Sequence, residues 1–154
     1  MIATAMSASS DPNSIVACPA CGRRNRIPVV AAGVARCSSC HQPLPWLTEA
    51  DDTNFDEVAA GPLTALVDLW APWCGPCRMV APAVEEVTRR FAGQLKTVKV
   101  NVDDAPGTAG RLGVLGVPTL LIVKDSHVVA RQVGALSLHA LEQWVAGQLE
   151  TMAI

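Results

Sequence analysis

Residues 14–45 carry four cysteines, several prolines and no stretch of helical periodicity long enough for a stable helix. Some thirty residues of this kind are too few to bury a core, so the segment folds only if something staples it. Cysteine spacing offers the staple: "CPAC" at 18–21 and "CSSC" at 37–40 stand fifteen residues apart. Two short knuckles that each supply two thiolates suit a tetrahedral Zn²⁺ closed to water. Cys18, Cys21, Cys37 and Cys40 are therefore the expected ligands of one structural zinc, and zinc binding would fold the segment. His41 borders Cys40 and is read as a surface residue, since four thiolates complete the site without it. Disulfides, a second redox store, or iron in the same four-thiolate site stay open as alternatives.

From about Trp46 the texture changes to longer periodic segments, which places a boundary within 44–50. The chain thus divides into a Ser/Ala/Asp-rich flexible lead-in (1–13), a zinc-binding module (14–45) and a larger domain (46–154). Half of the 154 residues are hydrophobic and 17% are charged, as a packed core requires. Net charge is −2 and the basic runs "GRRNR" and "RR" are short, so nucleic-acid binding is not expected. The N-terminus lacks the charged and apolar regions of a secretory signal, and no apolar run approaches the ~18 residues of a membrane span. A cytoplasmic protein in a reducing compartment is expected, where repeated CxxC pairs serve metals or catalysis.

The larger domain alternates in type. "NFDEVAA" (54–60) reads as a short helix, "LTALVDLWA" (63–71) as a buried strand, and "CRMVAPAVEEVTRRFA" (77–92) as a helix kinked at Pro82. "LKTVKVNVD" (95–103) reads as an alternating strand and "GTAGRLGV" (107–114) as a short helix. "PTLLIVK" and "HVVARQVG" form a hairpin through Asp125-Ser126, and a helix over 137–150 is capped by Ser137. With an extra strand near Trp46–Thr48, this order describes an α/β fold: a mixed central sheet with helices on both faces.

The third pair, "WCGPC" at 73–77, follows the buried strand and opens a helix. Unpaired N–H groups and the positive end of the helix dipole stabilise a thiolate there, and the thiolate is the form that attacks a disulfide. Pro76 suits a first-turn position, and Gly75 lets the chain turn tightly. Cys74, at the exposed tip, is expected to attack the substrate disulfide, and the more covered Cys77 to resolve the mixed disulfide. Asp68 is the one charged residue of its strand, six residues before Cys74. Burial would raise its pKa and suit it to general acid/base duty toward Cys77; its other reading is a strand-end aspartate bonded to backbone. Lys99 on the neighbouring strand could approach Asp68, or stand solvated.

"VDLWAPWCGPC", Pro82, "KVNVDDAPGTA" and "GVPTLLIVK", in this order across about 47–150, resemble the thioredoxin family. The resemblance implies a thioredoxin fold, a cis peptide bond before Pro118, and pairing of the Val117 backbone with an extended substrate strand. It also implies that Trp73, Gly75, Pro76, Pro118 and Gly134 form the substrate-docking surface, and that Trp70 has a packing role. "CPAC", "NRIP" and "CSSC" resemble the zinc module of bacterial thioredoxins of the thioredoxin 2 type. Leu69 departs from the family where an aromatic is common, and "KDSH" replaces a glycine-bearing turn. Gly-Pro between the cysteines matches the reducing members.

The expected function is that of a protein-disulfide reductase, a monomer re-reduced by a flavin- and NADPH-dependent thioredoxin reductase, with zinc and no bound organic cofactor. The rival reading is a redox-regulated binding module or holdase that docks clients through its zinc domain.

Overall fold

A computed structural model of the chain describes residues 15–28 and 33–152. The lead-in expected over 1–13 lies outside the described residues.

The first segment is built from turns. Strands β1 (Ile15–Ala17) and β2 (Arg24–Arg26) pair antiparallel. The first CxxC pair closes their loop, with Cys18 N–H donating to the Arg23 carbonyl at 2.8 Å and Gly22 N–H to the Cys18 carbonyl at 2.8 Å. The second pair repeats this geometry: Cys37 N–H donates to the Gln42 carbonyl at 2.9 Å and His41 N–H to the Cys37 carbonyl at 3.0 Å. Each knuckle thus needs a left-handed residue four positions after its first cysteine. Gly22 (φ 80°) adopts that backbone at no steric cost, whereas His41 (φ 65°) does so against its Cβ.

The larger segment forms one five-stranded sheet in the order β3-β5-β4-β6-β7. Strands β3 (Trp46–Ala50), β5 (Leu95–Asn101) and β4 (Thr64–Trp70) run parallel, while β6 (Thr119–Lys124) and β7 (His127–Val133) are antiparallel to their neighbours. Helices α1 (Phe55–Ala59), α2 (Gly75–Arg90), α3 (Pro106–Arg111) and α4 (Leu138–Met152) complete the elements of the described residues. Because successive strand residues face opposite sides, Leu66, Leu120 and Ile122 pack on Val80, Val84 and Val87 of α2 and on Leu141 and Val145 of α4. Val67, Leu69, Val98, Val100 and Leu121 turn the other way, onto Phe55 and Val58 of α1. Each such fully buried side chain contributes roughly 1.5–3 kcal/mol. The mixed sheet covered on both faces is the fold expected from the sequence.

Three local features differ from the reading of the sequence or refine it. The strand β5 does not alternate: Leu95 through Val98 are all buried, because β5 has a strand on each edge and helices over both faces. Lys96 within it points its ammonium at the Ala60 carbonyl, 2.7 Å away, and lies 5.0 Å from the centre of the Trp46 ring. In the β6–β7 turn, Asp125 (φ 52°) and Ser126 (φ 66°) both take positive φ, as a two-residue type I′ hairpin requires. Helix α2 runs through Pro82 as a single element, and the Ser137 hydroxyl accepts from Ala140 N–H at 3.1 Å at the start of α4.

The two segments share a core at their junction. Trp46 begins β3, yet its side chain is 1% exposed among Cys18, Ile27, Ala35, Cys37 and Leu44, with Leu63 packed alongside. Its indole N–H donates to the Pro28 carbonyl at 2.8 Å. A second contact is set by Gly93 (φ 90°): a Cβ there would come within 2.9 Å of the Pro43 ring. Gly93→Ala should destabilise the protein by about 1–3 kcal/mol, from left-handed strain and overpacking against a ring that cannot swing aside. The urea midpoint measures this; an unchanged midpoint would mean that Pro43 does not rest on this turn.

Candidate active site and metal centre

Cys74 is the N-cap of α2, held in extended backbone (φ −90°, ψ 108°) between the end of β4 and the helix. Its sulfur accepts the Cys77 N–H at 3.1 Å, so one of the helix's unpaired donors points at the nucleophile position. The two cysteines form a disulfide with Cα atoms 5.3 Å apart. The expected contrast in exposure does not hold in this state, since Cys74 is 4% and Cys77 3% exposed. The covering neighbours are Trp70, Val102 and Val117, packed against Ala71 and the two cysteines. What separates Cys74 from Cys77 is the N-cap position.

The residues expected to dock substrate come together from three parts of the chain. The Val117 carbonyl lies 3.7 Å from Cys74 Sγ, and the Val117–Pro118 bond is cis. Gly134 N–H, from a left-handed residue after β7, donates to the Pro118 carbonyl at 2.9 Å. Trp73 is 68% exposed beside Cys74, and its indole N–H reaches Asp103 Oδ1 at 3.3 Å. Asp103 escaped the sequence reading, because only the fold brings the turn after β5 to Trp73. Gly75 has no positive φ, and a Cβ there would meet open space. The turn therefore does not demand a glycine there, contrary to the expectation that Gly75 lets the chain turn tightly. Pro76 stands in the first turn of α2.

Asp68 sits in the middle of β4, opposite Lys99 of β5 and Leu120 of β6, and is 1% exposed. Neither carboxylate oxygen has a hydrogen-bond partner among the described residues, which sets aside the backbone-bonded reading. Lys99 Nζ is 3.7 Å from Oδ2 and 5.4 Å from the centre of the Trp70 ring, so this lysine is turned inward rather than solvated. Burial pushes the Asp68 carboxyl up from an ordinary 3.8 to about 6, against the opposing pull of Lys99. The group can therefore hold or release a proton near neutral pH. The buried Trp70 indole N–H also lacks a partner among the described residues.

The raised pKa makes a stability prediction of definite sign. Between about pH 4 and 6 the folded protein keeps a proton that the unfolded chain has released, so stability falls as pH rises through this window. The penalty is complete above about 6 and amounts to ~3 kcal/mol for a difference of about two pH units. Asp68→Asn should raise the stability of the oxidised protein by up to ~3 kcal/mol at pH 7 and by little near pH 4. Urea unfolding at the two pH values measures this. An equal gain at both would show that the buried charge is not the cause.

The outer cysteines converge as the two knuckles face each other. All four Sγ atoms lie within 4.8 Å of one another, and none is in a disulfide. Cys18 Sγ is 3.6 Å from Cys40 Sγ, and Cys21 Sγ is 3.5 Å from Cys37 Sγ. Zn–S bonds of about 2.3 Å imply sulfurs roughly 3.8 Å apart in a tetrahedron, so the arrangement fits the ion. Backbone N–H groups already point at two sulfurs, from Ala20 to Cys18 and from Ser39 to Cys37, each at 3.4 Å. The Cys40 N–H leads the effects that bring the Cys37 thiol down to about 6, and the Cys21 N–H leads those that lower Cys18. Gln42 N–H favours a thiolate at Cys40, but burial and the three neighbouring cysteines override it and push Cys40 up to about 12. A cation among the sulfurs would offset the burial and neighbouring sulfurs that hold Cys40 up. His41 is exposed and outside the cluster, and among the described residues this is the one such group of metal-ligating side chains.

No helix among the described residues is long and apolar enough to cross a membrane. The family model for thioredoxin matches residues 46–147, which takes in the disulfide, Asp68, Lys99 and the Pro118 loop. The chain is 46% identical over 96 residues to the thioredoxin of Haemophilus influenzae, covering 62% of this chain and 90% of that one. It is 49% identical over 86 residues to thioredoxin 1 of Synechococcus elongatus, covering 56% of this chain and 80% of the relative. To the thioredoxin of Bacillus subtilis it is 44% identical over 100 residues, covering 64% and 94%. The matched region, the mixed sheet and the N-capping cysteine agree: the chain belongs to the thioredoxin family of thiol–disulfide oxidoreductases.

Proposed function

We propose that the chain is a protein-disulfide reductase of the zinc-bearing thioredoxin 2 type. The observation that carries the reading is the placement of Cys74: an N-capping sulfur that accepts a helix N–H, 3.7 Å from the carbonyl preceding the cis-proline. In the reduced protein the Cys74 thiolate attacks one sulfur of a client disulfide, forms a mixed disulfide and expels the other client sulfur as a thiolate. The Cys77 thiolate then attacks Cys74 Sγ, closes the 74–77 disulfide and expels the second client thiolate. Two electrons pass to the client and leave the dithiol. Asp68 takes the Cys77 proton in this second step, and Lys99 positions that carboxylate. Trp73, Gly75, Pro76, Val117, Pro118 and Gly134 form the surface on which the client strand lies. The dithiol is regenerated by a flavin- and NADPH-dependent thioredoxin reductase.

In this reading residues 14–45 are a zinc module and 46–154 the thioredoxin domain, with Trp46 buried in the module's core. Cys18, Cys21, Cys37 and Cys40 hold the metal. Zn²⁺ supplies a structural cross-link there, with no position left for substrate. The protein works as a cytoplasmic monomer.

An assay coupling NADPH oxidation through thioredoxin reductase to reduction of a disulfide-bonded protein tests the reading. Saturable turnover by the full chain is the expected result. Suppression of client aggregation without turnover would instead favour a holdase docking clients through the zinc module.

A further inference from the structure

We infer that Asn25 is the positioning residue of the four-sulfur site, tying the two knuckles together and donating a side-chain hydrogen bond to Cys37, so that the metal is retained. The inference rests on the zinc reading above. Asn25 is the centre of β2 and is 6% exposed, between the exposed Arg24 and Arg26. A buried amide needs partners, and this one finds them on both knuckles. Its Nδ2 donates to the Arg23 carbonyl at 2.9 Å, the same carbonyl that closes the first knuckle through Cys18 N–H. The same nitrogen lies 3.5 Å from Cys37 Sγ and donates to it. Its Oδ1 accepts the Ser38 N–H of the second knuckle at 2.9 Å.

These contacts use two donors and an acceptor from one short side chain, which aspartate and leucine of similar shape do not offer. They also break the likeness of the two knuckles. Cys18 and Cys37 each receive a backbone N–H from two residues on, but among the described residues Cys37 also receives a side-chain amide donor and Cys18 does not. A donor at a metal-bound thiolate fixes its orientation and draws charge from the sulfur. Opening the site far enough to lose the metal requires the knuckles to part, and parting breaks the Asn25–Ser38 bond.

The test uses full-length protein loaded with Zn²⁺ or Co²⁺ and compares wild type with Asn25→Ala and Asn25→Asp. Competition with a chromophoric chelator should show Asn25→Ala holding zinc about 10–100-fold more weakly. Asn25→Asp should lose at least as much although it can still accept from Ser38 N–H, because it sets a carboxylate against a thiolate. In the Co²⁺ form of Asn25→Ala the sulfur-to-metal charge-transfer band should move to lower energy, as the thiolate loses its donor. Turnover at Cys74 should be unchanged. If Asn25→Ala fails to fold, Asn25→Asp carries the test. Wild-type chelator competition and an unmoved cobalt band in the folded variants would overturn the inference and leave Asn25 a space-filling residue. A wild-type chain that takes up neither metal would instead overturn the zinc reading on which the inference stands.

Discussion

Cys74→Ser should reduce disulfide turnover to the uncatalysed rate, while Cys77→Ser should leave the first attack intact and stop the cycle after it. The difference follows from position. Cys74 caps α2, with the Cys77 N–H 3.1 Å from its sulfur, and a hydroxyl there ionises too weakly to replace the thiolate. Cys77 is needed only to release the client. In its absence the chain should accumulate a mixed disulfide at one client per chain, visible as a mass adduct that a reductant removes. Turnover surviving Cys74→Ser, or an adduct on Cys77 in that variant, would reverse the roles. The near-equal burial of the two cysteines makes this a real test, because exposure does not choose between them.

Removing zinc from the reduced protein with excess chelator should unfold the N-terminal module and leave the thioredoxin domain folded and active. A structural zinc site contributes about 10–16 kcal/mol of apparent binding energy in zinc-finger peptides, and a segment this short has little else to replace it. The module's own core is Cys18, Ile27, Ala35, Cys37, Leu44 and Trp46, of which two are proposed ligands and one is borrowed from β3. Hydrogen exchange reads the outcome. The amides of Cys18, Gly22, Cys37 and His41, bonded within the knuckles, should lose protection, while those of the central strand β4 should keep it. Trp46 should report the same event by fluorescence, since its ring leaves the Pro28 carbonyl and the Lys96 ammonium remains. Knuckle protection that survives chelation would mean that packing or disulfides hold this segment.

Much of this architecture could be read from the chain because its determinants are local. The buried run of β4, the cap at Ser137 and the two-residue turn at Asp125-Ser126 depend on residues close in sequence, and the four outer cysteines do cluster as their spacing suggested. The cis bond before Pro118 and the docking role proposed for Gly134 came from family resemblance, and neither follows from spacing. Where reading failed, the deciding neighbours were distant. Lys96 looked like the outward position of an alternating strand, but strands on both sides and the Ala60 carbonyl make it an interior lysine. Trp46 was a boundary residue, and its packing partners lie up to 28 positions earlier. Asn25 passed as part of a motif, because its role exists only once Cys37, twelve residues on, folds back against it.

One CxxC spacing is expected to serve two chemistries in this chain, redox exchange at 74–77 and metal binding at the outer pairs. Metal analysis of the protein purified under reducing conditions, paired with a thiol titration, tests it most directly. One zinc per chain is expected, with two thiols titrating rapidly in the native protein and all six after denaturation with chelator. No metal, with six thiols reacting alike in the native state, would contradict the division and make the outer cysteines a second thiol reservoir.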